Sequence, residues 1–255
     1  MIQVPDEEDF EVINTRLAKL ESDVAALTAA MSPNVYDKFD YTFTFPNGGT
    51  SPNGLWKNEY LSNGYAKVEN GTMILRPGGT ELSQFAGSVL VRSVKKFGNF
   101  RATYYVITDE QTYTKDKNGN TIKPPGWQSA WTIFRHVDKY RHWYIGIGLD
   151  HLEIGKKDAP TNLTNQTEIE KYQYILWTGG LGTPLKTKRK VTIEFIGNVL
   201  KVWLDDQLQA TLKDDGTLKN QRGEMVKQSS WTSGEFCPYV EGAKGIYYPM
   251  TIESL

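Results

Sequence analysis

The stretch Val191-Thr192-Ile193-Glu194-Phe195-Ile196-Gly197-Asn198-Val199-Leu200-Lys201-Val202-Trp203-Leu204-Asp205-Asp206 decides the architecture of this chain. Val191, Ile193 and Phe195 alternate with Thr192 and Glu194, so one face of that strand is dry and the other wet. Leu200, Val202 and Leu204 alternate with Lys201 and Trp203 in the same way, which puts Trp203 on the face opposite the core. Gly197-Asn198 and Asp205-Asp206 are turn dipeptides, so the three runs 190–196, 200–204 and 207–212 read as an antiparallel meander.

The same grammar extends outward. From Tyr36 onward no helical period holds over ten residues; short aromatic and β-branched runs alternate with turn clusters. Strands are expected at 41–45, at 65–68 and 72–75 around Asn70-Gly71, at 88–94, at 100–108, and at 129–137 and 141–149 around Asp138-Lys139. Others are expected at 172–178, 236–240 and 246–253. Residues 115–126, 155–166 and 213–233 read as polar loops. The 255 residues include 14 Tyr, 10 Phe, 7 Trp and 23 Gly, aromatics to fill pleated surfaces and glycines to turn between them. About a dozen short strands without βα alternation predict a mainly β, two-sheet sandwich over 33–255.

Residues 10–31 differ in kind. Phe10, Ile13, Leu17, Leu20, Val24, Leu27 and Met31 fall at alternating steps of three and four, with every a and d position apolar. The flanking positions are polar, which makes a narrow coiled-coil seam rather than the wider stripe of a core-facing helix. Arg16-Leu17-Ala18-Lys19-Leu20-Glu21 resembles the Arg-h-x-x-h-Glu signature of short parallel three-stranded coiled coils, where Arg16 at g and Glu21 at e would pair between chains. The reading is a homotrimeric coiled coil over 10–32, ended by Ser32-Pro33-Asn34. Residues 1–9, acidic and holding Pro5, read as an attachment arm.

The hairpins at 191–206 resemble the penultimate hairpins of concanavalin-A-like jelly rolls, the superfamily of laminin-G-like, legume-lectin-like and glucanase-like sandwiches. Phe97-Gly98-Asn99-Phe100-Arg101-Ala102-Thr103-Tyr104 resembles another strand of that fold. Trp131-Thr132-Ile133-Phe134-Arg135 with Trp143-Tyr144-Ile145-Gly146-Ile147 resembles a strand pair of it. The resemblance covers roughly 36–255 and speaks to fold more than chemistry. Glucanase-like members imply a Glu-x-Asp-x-x-Glu strand carrying two carboxylates, and this chain has none. The arginine and Gln-x-His strands of alginate-lyase sandwiches are missing too, as are Gly-x-Ser-x-Gly and phosphate-loop motifs. No enzymatic activity is expected. Glu168-Ile169-Glu170 reads as solvated loop charge. No cofactor is expected, although laminin-G-like members imply calcium held by scattered loop oxygens such as those of Asp109, Asp150 or Asp158.

The three histidines, His136, His142 and His151, fall in one stretch with Trp127, Trp131, Arg135, Tyr140, Arg141, Trp143 and Tyr144. Planar rings and hydrogen-bonding groups are what a sugar needs, because a pyranose offers a C–H face for stacking and paired hydroxyls for hydrogen bonds. Trp127, Trp131, Arg135, His136, Tyr140, His142 and Trp177 are therefore the candidate glycan-binding residues. Strict alternation puts Trp131, Ile133 and Arg135 on one face of their strand and Thr132, Phe134 and His136 on the other. No three-histidine metal pattern is present, and Cys237 is the only cysteine.

A net charge of −1 excludes the electrostatic footprint of a nucleic-acid binder. No secretory signal and no apolar run long enough for membrane insertion are read, so synthesis is expected in a host cytoplasm. Arm, trimeric stalk and lectin-like head together resemble bacteriophage fibre, spike or capsid-decoration proteins. That arrangement implies a virion location, a capsid or tail partner for the arm, and a cell-surface glycan for the head.

Overall fold

In a computed structural model, residues 12–17, 19–20, 34–78, 87–112, 114–115, 120–122, 124–180 and 182–255 are described. Nineteen strands are assigned among them. The first ten are β1 (Asn34–Asp37), β2 (Phe43–Thr44), β3 (Trp56–Tyr60), β4 (Tyr65–Glu69), β5 (Thr72–Arg76), β6 (Ser88–Ser93), β7 (Lys96–Phe97), β8 (Phe100–Gln111), β9 (Thr114–Lys115) and β10 (Thr121–Ile122). The rest are β11 (Ala130–Asp138), β12 (Arg141–Ile147), β13 (Leu152–Asp158), β14 (Gln173–Gly179), β15 (Arg189–Ile196), β16 (Val199–Leu204), β17 (Gln207–Lys213), β18 (Gly234–Glu241) and β19 (Ala243–Ser254). A single-turn helix, α1, spans Gln166–Glu170 and is capped by the Asn165 side chain.

Two antiparallel sheets form the sandwich. The first runs β17-β16-β15-β8-β19-β5-β4-β2, with β1 beside β19; the second runs β14-β13-β12-β11-β18-β6-β3, with β7 beside β18. The expected meander is the edge of the first sheet, with Val191 opposite Leu204 and Phe195 opposite Leu200. Val191, Ile193, Phe195, Leu200, Val202 and Leu204 are all buried in the core, and Trp203 is half-buried on the other face. Facing them from the second sheet are Phe134, Trp143, Ile145 and Ile154. At about 25 cal/mol per Å² of apolar surface, this one shared core dominates the fold's stability. Tyr104 and Tyr247 cross between the layers: the Tyr104 hydroxyl lies 2.5 Å from the Thr132 hydroxyl, and the Tyr247 hydroxyl donates 2.5 Å to the Trp131 carbonyl.

A fully buried ion pair closes one end. Lys156 Nζ lies 3.1 Å from Asp214 Oδ1 and donates 3.1 Å to the Ser229 hydroxyl, with Trp143 and Trp231 rings alongside. It ties β13 to the 213–233 segment, whose polar composition reads as loop.

Three features correct the sequence reading. Residues 152–158 are strand, so the expected 155–166 loop begins later. β1, β3 and β7 are strands beyond those expected, and the 115–126 loop carries the short paired strands β9 and β10. Glu168 and Glu170 lie within α1 rather than in an irregular loop. At the N-terminus, helix covers 12–17 and 19–20, and no coiled coil is evident among the described residues. Ile13, Arg16, Leu17 and Leu20 are exposed there. Phe10, Glu21, Val24, Leu27, Met31 and the acidic arm lie outside the described residues. No helix among the described residues is long and apolar enough to cross a membrane.

Candidate functional site

The outer face of the second sheet carries its own apolar cluster, separate from the sandwich core: Leu90, Trp131, Ile133, Tyr144 and Cys237, with Tyr239 against it. These are the alternate positions of β6, β11, β12 and β18, pointing away from Val89, Phe134, Trp143 and Phe236. Two glycines let the large rings lie across the strands. A Cβ at Gly146 would come within 2.9 Å of the Trp131 ring, and one at Gly155 would collide with Tyr144. The Trp131 and Tyr144 rings consequently pack at 5.3 Å, tilted by 49°.

Over this floor runs a groove of about 790 Å³. One wall is β3 and β6, with Glu59, Tyr60 and Arg92. The other is the β11–β12 turn, β13 and α1, with Lys139, Tyr140, Lys157, Gln166 and Glu170. The floor aromatics Trp131 and Tyr144 are buried, whereas Tyr60 is exposed and Tyr140 and Tyr239 are half-buried along the groove. An apolar base with a few convergent polar groups is the usual make-up of a small-molecule site.

His136 reaches this groove because β11 is not regular. Its registers with β12 and β18 both shift around residue 135, and Arg135 has φ +45° in the left-handed region. The bulge reverses the alternation. His136 joins Trp131 and Ile133 on the outer face, which corrects the expected division of faces. Arg135 turns to the core side, where its Nε and NH2 donate to the Gly98 carbonyl at 3.2 and 3.0 Å and NH2 donates to the Gly197 carbonyl at 3.0 Å.

The polar groups of the groove are tightly paired. His136 Nδ1 lies 3.2 Å from Glu235 Oε2, Arg92 NH1 lies 3.3 Å from Glu235 Oε1, and Arg92 Nε lies 2.7 Å from Glu59 Oε2. Burial pushes the Glu235 carboxyl up, but the His136 contact and the Arg92 and Lys96 charges together hold it below the usual carboxylate value. His142 packs 5.9 Å from the His136 ring. Burial, then the Lys157 and His136 charges, push its pKa down to about 3, so it is a neutral ring at physiological pH. Glu241 is the opposite case. Burial raises its pKa, as do the Glu170 and Glu153 charges, against a hydrogen bond from the Tyr239 hydroxyl. Burial also raises the Cys237 thiol well above its ordinary value, which makes it inert.

Of the candidates from sequence, the groove gathers Trp131, His136, Tyr140 and His142. Arg135 is on the core side. Trp177 is half-buried against the sandwich core, opposite Ile154. Trp127 is exposed in the loop before β11, where its carbonyl accepts the Trp131 indole N–H at 2.9 Å, outside the groove proper. Glu59, Tyr60, Arg92, Lys157, Glu235, Tyr239 and Glu241 were missed. Their signal was weak, charged or tyrosine residues at some outward positions of β3, β6, β13 and β18, legible only once sheet order is known. Asp109 pairs with Lys244 and Asp150 lies 2.7 Å from His151 Nδ1. Among the described residues no three His, Cys, Asp or Glu side chains group to hold a metal.

No family model matches the chain, and no curated protein does. Solved structures do. The carbohydrate-binding module CBM66 from Bacillus subtilis is 14% identical with a TM-score of 0.51, the match covering 82% of this chain and 99% of that one. A β-1,3-1,4-glucanase (lichenase) derived from a mouse hindgut metagenome is 12% identical with a TM-score of 0.51, covering 87% and 99%. A Bacillus subtilis protein of unknown function with a galectin-like fold is 10% identical with a TM-score of 0.50, covering 86% and 98%. At such identities the likeness shows the fold alone, a two-sheet jelly-roll β-sandwich.

Proposed function

We propose that this chain is a non-catalytic glycan-binding protein, its jelly-roll head displayed on a homotrimeric stalk in the manner of a bacteriophage fibre, spike or capsid-decoration protein. The observation that carries the reading is the outer-face groove, an aromatic and aliphatic floor ringed by tyrosines and paired charges. The solved structures of this fold include a carbohydrate-binding module, which supports the same ligand class. The exposed Ile13, Leu17 and Leu20 support a stalk that finishes burying itself against other copies. Three heads on one stalk would turn weak single-site contacts into avidity of a hundredfold or more, on the order given by effective concentration. The arm at 1–9 would then dock on a capsid or tail protein.

The groove's ion pairs argue against hydrolysis. Glycoside cleavage needs one protonated carboxyl facing one ionised carboxylate about 5 to 10 Å away. Arg92 bridges Glu59 and Glu235, and Glu235, also against His136, is held below the usual carboxylate value, so it does not supply the protonated carboxyl. A sugar-active hydrolase or lyase has one observation in its favour, the upward-shifted Glu241 near Glu153 and Glu170.

The full-length chain probed on an array of bacterial and plant glycans tests the proposal. Heads carrying Tyr60→Ala or Tyr239→Ala should bind about tenfold or more weakly, the loss expected of one stacked aromatic. Unchanged binding in both folded variants would move the site elsewhere, and a wild type that binds no glycan would leave a purely structural role. Release of reducing ends that stops in Glu241→Gln would replace binding with catalysis.

A further inference from the structure

We infer that the groove selects uncharged glycans and turns away those bearing carboxylates or sulfates, an inference that rests on the glycan-binding reading above. Five carboxyls line it, those of Glu59, Asp138, Glu170, Glu235 and Glu241, against three cations, Arg92, Lys139 and Lys157. The one guanidinium among the three is already engaged by carboxylates. A guanidinium captures a carboxylate with two donors along one edge. Arg92 has given Nε to Glu59 and NH1 to Glu235, so each edge has already lost one donor. Lys139 lies on an exposed turn over the Tyr140 ring, 4.9 Å from its centre. Lys157 is pulled below the ordinary lysine value by burial, against the opposing Glu170 and Glu241 charges on the same wall.

The histidines add no compensating anion site. His142 is a neutral ring, and His136 is engaged by Glu235. An acidic sugar would therefore enter a wall of like charge and would have to displace an internal carboxylate to reach a guanidinium. Sugar hydroxyls face no such obstacle. They donate to carboxylates, and Glu59, Glu170, Glu235 and Glu241 supply acceptors along the groove while Tyr60 and Tyr239 supply faces. The charge pattern is thus suited to a polyhydroxyl ligand and acts as negative discrimination against its acidic analogues.

The test uses the full-length chain and two arms of soluble polysaccharide. Laminarin, mixed-linkage β-glucan, levan and galactomannan form the neutral arm; alginate, polygalacturonate, hyaluronan and polysialic acid form the acidic arm. Binding should fall on the neutral arm, at least about tenfold tighter than any acidic probe, and hold when salt rises from about 0.05 to about 0.5 M, since no net charge is neutralised. The Glu59→Gln/Glu235→Gln double variant frees Arg92 and should gain about fivefold or more for the acidic arm. Tightest binding to an acidic probe, or strong loss with salt, overturns this inference while leaving glycan binding intact. A double variant that gains nothing overturns the role given to Arg92. Silence on both arms removes the glycan-binding reading itself and this inference with it.

Discussion

The Arg135 guanidinium carbon lies 3.5 Å from the centre of the Phe195 ring, so a side chain from one sheet is stacked on the core of the other. The contact joins β11 to β15 across the sandwich, and the bonds to the Gly98 and Gly197 carbonyls extend it to two turns. Burial pulls the Arg135 pKa down to about 10, still protonated at neutral pH. This geometry makes Arg135 a structural residue. Arg135→Ala should lower unfolding stability by about 2 to 3 kcal/mol, the range for a charged hydrogen-bonding group lost from a protected site. Glycan affinity of the folded variant should stay within about twofold. Denaturant titration and array binding of the same preparation check both halves.

His142 gives the head an acid-sensitive element. Its folded-state pKa, about 3, lies below the ordinary histidine value of 6.5. Between those two values the unfolded chain binds a proton that the folded chain refuses, so stability falls as pH drops through that window. Above about 6.5 both states are neutral and the contribution is flat. The slope from this one group is at most about 1.4 kcal/mol per pH unit. Chemical denaturation of wild type and His142→Gln from pH 7 to pH 4 should show the shallower decline in the variant.

Lys156 and Asp214 should behave as a unit. Removing the ammonium in Lys156→Met strands a buried carboxylate and should cost about 3 to 5 kcal/mol. Adding Asp214→Asn, which keeps an acceptor for the Ser229 N–H, should recover part of that loss. A double variant as unstable as the sum of the two singles would mean that the pair is not coupled.

The stalk prediction separates two cores. Sedimentation equilibrium of the full-length chain should give about three times the chain mass. Leu20→Glu should reduce that to the monomer and leave the head's β circular-dichroism spectrum unchanged. A wild type that is monomeric at micromolar concentration would remove the trimer from the proposal.

The sandwich was legible because its first sheet obeys strict alternation. Val191 to Leu204 shows which residues are inside, and the structure buries those positions. The groove was only half legible, for two physical reasons. Alternation predicts a face only while the ladder stays in register, and the bulge at Arg135 moved His136 onto the ligand face and took Arg135 off it. The second reason lies in the walls. β13 carries Lys156 and Lys157, charges that read as loop until an ion pair on one side and a groove on the other account for them, and β3 with Lys57 and Glu59 offered too little alternation to read as a strand. Glycine adds to the disguise at Gly155, where the strand gives up its side chain to make room for Tyr144.

β1 follows the helical segment in sequence and is hydrogen-bonded to β19 through four residue pairs, from Asn34 opposite Glu253 to Asp37 opposite Met250. β19 in turn is a central strand, paired along most of its length with β8. A tensile load arriving along β1 acts parallel to these strands, so the bonds resist together in shear rather than opening one after another. Force between an anchored N-terminus and a ligand held on the opposite sheet would pass into the middle of the sandwich, and β1 would serve as the mechanical coupling of the head.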